Sequence, residues 1–295
     1  MVVTLQTMPT EAQIKLIDCP RDAMQGIHEF IPTEVKVHYI QQLLAVGFDT
    51  LDVGSFVSPK AIPQMADTAS VLEQLDLSKT NTKLLTIVAN MRGAKSAVTF
   101  DQVDYLGYPF SISETFQLRN TNATITESLE RLEDIQKVTL DHGKELVVYL
   151  SMGFGNPYGD PWNVRVVAEW VEKLAERGMN ILQLSDTIGV SSPDSISYLF
   201  SDLIPKYPEV EIGAHLHTTP STWREKVASA YESGCRRFDG ALKGYGGCPM
   251  AADDLTGNMP TENLIKYLDE VGSSGVVHEA LAKALSMSSS VFPSA

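Results

Sequence analysis

The chain has 295 residues, of which 43% are hydrophobic and 20% are charged, and its formal net charge at pH 7 is -14. This composition is that of an ordinary globular protein, and a chain of this length buries its core without needing disulfides. Because non-specific binding of nucleic acids depends on Lys and Arg neutralising phosphates, the acidic balance argues against a nucleic-acid partner.

The cysteines and the N-terminus bear on the compartment. The three cysteines, Cys19, Cys235 and Cys248, are odd in number and widely spaced, which is untypical of a disulfide framework and favours a reducing compartment. Residues 1–6 have no basic region ahead of an apolar core, and no segment is long and apolar enough to span a bilayer. We therefore predict a cytoplasmic protein with no membrane partner.

Short apolar, β-prone runs alternate with helical patterns along the chain. The predicted strands cover residues 14–19, 48–53, 84–88, 102–106, 145–150, 180–184, 210–214 and 236–242. The predicted helices cover residues 33–47, 65–75, 91–99, 125–142, 163–177, 193–204 and 222–233. Eight alternating strands favour an α/β fold of the (β/α)8 TIM-barrel type over a doubly wound sheet.

The end of the chain predicts one further helix and no further domain. A helical pattern runs from Val276 to Met287, and the serine-rich residues 288–295 that follow read as a loose tail. We see no interior linker, so we predict a single domain over residues 1–295.

Two histidines mark the end of the seventh predicted strand. His215 and His217 are separated by one residue, and because side chains alternate along a strand, both project to the same face. Such a pair can hold one metal ion, although each imidazole could instead be satisfied by a neighbouring carbonyl.

Further polar residues follow other strands, where the catalytic groups of a TIM barrel lie. These are Arg21, Asp22, Asp52, Asp186 and Cys248. Asp186 could equally cap the segment that follows it. The glycine-rich loop at 243–250 could move its thiol into a site, or could be a plain flexible loop.

A metal site can be assembled from these strand ends. Asp22, His215 and His217 form a mixed nitrogen and oxygen ligand group, and Asn258 could add an amide oxygen. Oxygen ligands and open positions favour Mg²⁺ or Mn²⁺ over zinc.

An ordered series of motifs extends over nearly the whole chain. It comprises Pro20-Arg21-Asp22 with Gln25, SFVSPK at 55–60, PQM at 63–65, DTIGV at 186–190, His215-x-His217, GGCP at 246–249, and Gly257-Asn258 followed by Thr261-Glu262. With this series the chain resembles the 3-hydroxy-3-methylglutaryl-CoA lyase family of metallolyase barrels. The resemblance implies metal-dependent cleavage of 3-hydroxy-3-methylglutaryl-CoA (HMG-CoA) into acetyl-CoA and acetoacetate.

The resemblance also implies roles for individual residues. Asp22, His215, His217 and Asn258 correspond to the ligands of a divalent cation, Mg²⁺ or Mn²⁺. Arg21 corresponds to the cation beside the substrate carbonyl and Cys248 to a loop thiol used in proton transfer, and Asp52, Asp186 and Glu262 fall on further functional positions. The implied partner is an acyl-CoA thioester, and base rates favour a homodimer.

These roles suit the chemistry. Breaking a carbon–carbon bond beside a tertiary alcohol requires removal of the alcohol proton and stabilisation of the departing thioester enolate. A cation and Arg21 can hold the developing negative charge, and a thiol can protonate the enolate carbon.

The chain departs from the family pattern at four places. Asp52 stands where Glu is usual, residues 26–28 replace Asn-Glu-Lys, Thr218 stands where Asp is usual, and residues 251–254 make the 248–258 loop one residue longer. These departures leave open which acyl group the chain accepts and which residues contact CoA. They do not remove the predicted ligands.

Three other enzyme activities and one non-catalytic role remain open on the sequence. The chain could be a lyase acting on a related 3-hydroxyacyl-CoA, a synthase condensing acetyl-CoA with a 2-oxoacid, or a 4-hydroxy-2-oxoacid aldolase. Synthases of this kind usually continue beyond the barrel, and an aldolase would not need the loop around Cys248. A barrel that binds a metal or CoA without catalysis is the alternative from another class.

Overall fold

The computed structural model describes residues 13–247 and 256–292. Eight parallel strands form a closed barrel in which each strand bonds its neighbours in sequence and the last bonds the first. They are β1 (Lys15–Asp18), β2 (Thr50–Ser55), β3 (Lys83–Ile87), β4 (Val103–Ser111), β5 (Glu145–Ser151), β6 (Ile181–Ser185), β7 (Glu211–His215) and β8 (Arg237–Gly240). The predicted TIM barrel is confirmed.

Helices cover the outside of the barrel. They are α1 (Pro20–Gln25), α2 (Thr33–Leu44), α3 (Thr68–Gln74), α4 (Met91–Ala97), α5 (Glu114–Thr121), α6 (Ile125–Asp141), α7 (Val164–Ala175), α8 (Pro193–Lys206), α9 (Trp223–Glu232), α10 (Thr261–Val271) and α11 (His278–Val291). The local sequence explains where several helices begin, as with the capping box of Thr124 and Glu127 at the start of α6. In the described part of the chain, no helix has the length and apolarity needed to cross a membrane.

Strand β4 is longer than predicted because it continues through a glycine and a proline, residues that usually interrupt strands. Gly107 and Pro109 lie inside it, paired with Val147 and Tyr149 of β5. A Cβ at Gly107 would lie 2.5 Å from Cδ1 of Ile87, so glycine is what lets β3 and β4 pack closely there.

Helices α1, α5 and α10 were not predicted. No element was predicted for residues 20–25, but Pro20 occupies the first turn of α1, where proline is well tolerated. Ser113 caps α5 by accepting a hydrogen bond from the backbone N–H of Phe116.

The prediction of a loose tail from residue 288 is wrong as far as residue 292. Helix α11 continues to Val291, and both Val291 and Phe292 are buried. The Phe292 ring stacks on Tyr245 with 4.5 Å between centroids and meets Tyr39 edge-on at 5.6 Å. Apolar packing of these residues overrides the polar serine run before them. That residues 1–295 form one domain stays a prediction.

The inside of the barrel is divided between apolar and charged sides. An apolar cluster of Leu85, Ile87, Tyr105, Val147, Tyr149 and Ile181 belongs to strands β3 to β6. On the other side, Glu211 of β7 accepts from Lys15 of β1 at 2.5 Å and from Arg237 of β8 at 2.8 Å. The charged side continues along β7 towards His215.

A buried carboxyl group at the end of β1 is held at an energetic cost. Oδ1 of Asp18 accepts from the Thr261 hydroxyl at 2.5 Å, whereas Oδ2 has no partner among the described residues. Burial raises the pKa of Asp18 to about 7, and the nearby charge of Glu262 adds to this. The folded chain therefore binds a proton here that the unfolded chain releases near its ordinary pKa of 3.8.

We expect Asp18→Asn to stabilise the protein at pH 8 but not at pH 4. Between pH 4 and about 7 the folded state holds a proton that the unfolded state has released, so the free energy of unfolding falls as pH rises. Above about pH 7 the full cost of burying the ionised Asp18 is present. A shift of this size corresponds to roughly 4 kcal/mol. Melting temperatures at both pH values test this, with exposed Asp141→Asn as control, and an equal gain at both pH values would contradict it.

Candidate active site

A cavity of about 500 Å³ opens at the carboxyl ends of the strands. Its floor includes Arg21, Asp22, His215 and His217, and Tyr149 forms part of one wall. The remaining lining residues are Gln25, Val57, Ser58, Ala61, Ile62, Ile87, Ala89, Asn90, Pro109, Phe116, Arg119, Asn120, Thr121, Asn122, Arg131, Ser151, Ser185 and Thr187.

The Arg21 guanidinium links three side chains at the floor of the cavity. Its Nε donates to Oδ1 and Oδ2 of Asp52 at 3.2 and 3.0 Å, and its Nη2 donates to Oδ2 at 2.5 Å. Its Nη1 donates to Oδ1 of Asp22 at 3.1 Å and to Oε1 of Gln25 at 2.9 Å. The start of α1 directly after β1 puts Arg21 and Asp22 in this position, and the guanidinium is held from two sides.

Asp52 lies beneath Arg21 and is fully buried. Burial raises the pKa of Asp52 to about 6, even though the charge and hydrogen bonds of Arg21 act in the opposite direction. Asp52 is not among the residues that line the cavity. Its contacts are therefore those of a group that orients Arg21.

Asp22 carries a negative charge at the floor. Burial is the largest single influence and opposes ionisation, but the charges of Arg21 and His215 and the hydrogen bond from Asn258 together outweigh it and lower the pKa of Asp22. Oδ1 also accepts from Nε2 of Gln25 at 2.5 Å, and Oδ2 accepts from Nδ2 of Asn258 at 2.6 Å. The carboxylate is thus anchored through both oxygens.

His215 is oriented by a carboxylate on the neighbouring strand. Its Nδ1 lies 3.0 Å from Oδ2 of Asp239, whose Oδ1 accepts from Nε2 of Gln183 at 2.8 Å. Burial lowers the pKa of His215, but the hydrogen bond and charge of Asp239 outweigh it and raise that pKa. A carboxylate bonded to one ring nitrogen presents the other as a ligand, which is common among metal-binding histidines.

His217 follows the end of β7, and its backbone bridges that of Asn258. Burial, together with the neighbouring His215, lowers the pKa of His217 to about 4, so its imidazole is neutral near pH 7. Its buried Nδ1 has no hydrogen-bond partner among the residues described. A neutral imidazole with an unused buried nitrogen suits a metal ligand.

Asn258, from the far end of the chain, supports Asp22 without lining the cavity. Its Nδ2 donates to Asp22 and, at 2.9 Å, to the carbonyl oxygen of Tyr245. Gly246, at a φ of +91°, packs against the same atoms. A Cβ there would lie 2.7 Å from the carbonyl oxygen of Asp22 and 2.8 Å from Nδ2 of Asn258.

The donor set at the floor fits a divalent cation. One carboxylate and two imidazoles, those of Asp22, His215 and His217, line an open cavity, and Asn258, which does not line it, donates from its amide nitrogen to the Asp22 carboxylate. A second group, formed by Cys19, His215 and Asp239, has ligand atoms within 4.8 Å of one another. Burial and the charge of Asp239 raise the pKa of the Cys19 thiol well above its usual range, and neither Cys19 nor Asp239 lines the cavity. We therefore favour the group containing Asp22.

Asp186 and Glu262, like Asp52, were predicted as site residues but do not line the cavity. Asp186 is bound through Oδ2 to Lys226 at 2.8 Å and through both oxygens to Ser191. Glu262 accepts from the backbone N–H of Lys243 at 2.9 Å and does not line the cavity. Cys248 lies outside the described residues, so its role stays a prediction.

Several residues at the site were not identified from the sequence. Asp239 pairs directly with His215 in the register of β7 and β8, so two-residue alternation along β8 could have indicated it. The ring of Tyr149 meets His215 edge-on at 5.8 Å. Arg119 and Arg131 reach the cavity from α5 and α6 and had no local signal.

Comparisons with known proteins identify relatives along most of the chain. The family model described as HMGL-like matches residues 13–289. The bovine mitochondrial hydroxymethylglutaryl-CoA lyase is 33% identical over 262 residues, which is 88% of this chain and 79% of that protein. The hydroxymethylglutaryl-CoA lyase YngG of Bacillus subtilis is 32% identical over 263 residues, covering 89% of this chain and 87% of the relative.

A solved structure agrees with these relatives. The HMG-CoA lyase from Acinetobacter baumannii, in complex with coenzyme A and 3-methylmalate, superposes with a TM-score of 0.88 at 30% identity. The match covers 97% of this chain and 93% of that one. The family model, the relatives and the barrel agree, and the chain belongs to the HMGL-like family.

Proposed function

We propose that this chain is a divalent-metal-dependent carbon–carbon lyase that cleaves HMG-CoA into acetyl-CoA and acetoacetate. The observation that carries the proposal is that Asp22, His215 and His217 lie beside Arg21 in the lining of one cavity, with Asn258 bonded to Asp22. Relatives over most of the chain are named for this activity.

The proposed ligands are these four side chains, and Mg²⁺ or Mn²⁺ is the ion that we propose. Such an ion would supply Lewis acidity towards oxygens of the substrate. Arg21 places its guanidinium beside the ligands, where it can donate to an oxygen that gains negative charge as the carbon–carbon bond breaks. Asp52 holds that guanidinium in place from below. The Cys248 thiol is the proposed proton donor to the enolate carbon.

The charge of the cavity suits a CoA thioester. The whole chain carries a net charge of -14, yet the charged residues in the cavity lining are three arginines and one aspartate: Arg21, Arg119, Arg131 and Asp22. Arg21 and Asp22 pair at the floor, which leaves Arg119 and Arg131 in the wall. Guanidinium groups bind phosphates well, so these two residues are the proposed contacts for the CoA phosphates.

Part of the cavity lining is apolar. Val57, Ile87, Pro109 and Tyr149 line the cavity from the β2 loop and from β3 to β5. This surface can pack against the methyl substituent on the carbon that bears the hydroxyl group. It would also accept other alkyl substituents, which favours related 3-hydroxyacyl-CoA thioesters as the second candidate substrates.

We also propose that the protein is cytoplasmic and acts as a homodimer.

Purified, reduced protein supplied with Mg²⁺ or Mn²⁺ should release acetyl-CoA and acetoacetate from HMG-CoA, and a chelator should stop the release. His217→Ala should lower kcat by at least about 100-fold, because a ligand is lost, and Cys248→Ala should also reduce turnover strongly. Exposed His142→Ala, on the distant end of α6, serves as control. Metal-independent turnover, or full activity of His217→Ala, would argue against the proposal.

Gly246→Ala should weaken Mn²⁺ binding by about tenfold, because the added Cβ displaces Asn258 and the backbone of Asp22. Calorimetric titration of the chelator-treated protein measures this. Gly143→Ala is a matched control, since Gly143 also has a positive φ of +68° but has open space around its Cβ position. Equal affinities of the two variants would contradict the prediction.

Arg119→Gln and Arg131→Gln should each raise KM for a CoA thioester about fivefold with little change in kcat. The effect should vanish with the N-acetylcysteamine thioester of the same acyl group, which has no phosphates. Exposed Arg165→Gln controls for the change in net charge. A KM that rises equally for both thioesters would show that these arginines do not contact phosphate.

A further inference from the structure

Lys226 of α9 has a buried ammonium group beside the site. The residue is 2% exposed, and its Nζ donates to three oxygens. These are Oδ2 of Asp186 at 2.8 Å, the carbonyl oxygen of Gly189 at 3.0 Å and the carbonyl oxygen of His217 at 2.9 Å. All three ammonium protons are therefore used, and the group joins the loop after β6 to His217, two residues beyond the end of β7.

One of these bonds falls on a proposed metal ligand. His217 lies outside the hydrogen-bonded ladder of β7, which ends at His215. Its backbone is held by the bridge to Asn258, by Thr218 N–H on the carbonyl of Gly257 at 2.9 Å, and by Lys226 on its own carbonyl. Without Lys226, the carbonyl of His217 loses a bond that fixes the peptide from which the imidazole projects.

We propose that Lys226 is a positioning residue that fixes the His217 imidazole for metal binding by holding its carbonyl oxygen. Asp186 acts in the same unit by pairing with the buried ammonium group, so its contribution to the site passes through Lys226. The inference rests on the proposed metal site, because Lys226 does not line the cavity and acts only through the proposed ligand His217.

The sign of the effect separates positioning from simple electrostatics. Removing a positive charge from beside a cation site would by Coulomb's law strengthen binding of the cation. Loss of positioning weakens it. Lys226→Met should therefore raise the Kd for Mn²⁺ by about tenfold or more, since mutation of groups that orient a metal ligand typically has effects of this size.

The experiment measures Mn²⁺ affinity by calorimetry and the melting temperature of the metal-free protein, for wild type and three variants. Lys144→Met is the matched control, because Lys144 is also a buried lysine that donates to backbone carbonyls, those of Phe100 and Val103, at the other end of the barrel. Lys226→Met leaves Asp186 buried without its cation. The double variant Lys226→Met with Asp186→Asn avoids that unpaired charge and replaces the single variant if the latter does not fold.

The expected result is weak Mn²⁺ binding in both Lys226 variants and wild-type affinity in Lys144→Met, even where the loss of melting temperature is similar. Wild-type affinity in Lys226→Met, or its recovery in the double variant, would overturn the role of the His217 carbonyl bond. An equal loss of Mn²⁺ affinity in Lys144→Met would show that the loss comes from general destabilisation, and would also overturn the proposal. Failure of the wild-type protein itself to bind Mn²⁺ would instead overturn the metal site, and with it this inference.

Discussion

The ion pair and hydrogen bonds of Arg21 determine the form of the site. One guanidinium connects β2, through Asp52, with two side chains of α1, Asp22 and Gln25. A bidentate arginine contact fixes direction as well as distance. Because Asp22 in turn accepts from Asn258, residues separated by 236 positions in sequence meet through one carboxylate. The remaining parts of the site, including both histidines, are placed around this charged group.

A buried polar site of this kind requires support that is itself buried. Asp239 and Gln183 stand behind His215, Lys226 and Asp186 stand behind His217, and Asp52 stands behind Arg21. Each supporting carboxylate is paired, because an unpaired charge in the interior would be costly. The charged side of the barrel thus holds the proposed ligands, whereas on the apolar side of β3 to β6 only Ile87 and Tyr149 of the cluster reach the cavity.

The sequence allowed the barrel and much of its floor to be predicted, because periodic apolar runs define the strands and chemistry in such barrels lies at strand ends. It could not show which buried residues hold the site residues in place. Asp186 reads as a site residue, but its partner Lys226 lies on a helix 40 positions later, and only tertiary packing joins them. The polar run at 288–290 read as a tail because the stacking of Phe292 on Tyr245 is equally a long-range contact.

That contact ties the last turn of the chain to its first active-site residues. Phe292 packs on Tyr245, the carbonyl of Tyr245 accepts from Asn258, and Asn258 donates to Asp22 at the start of the barrel. During synthesis the barrel strands all leave the ribosome before α11 does. A nascent chain can therefore build its barrel wall before Phe292 is available to stack on Tyr245, the residue whose carbonyl accepts from Asn258.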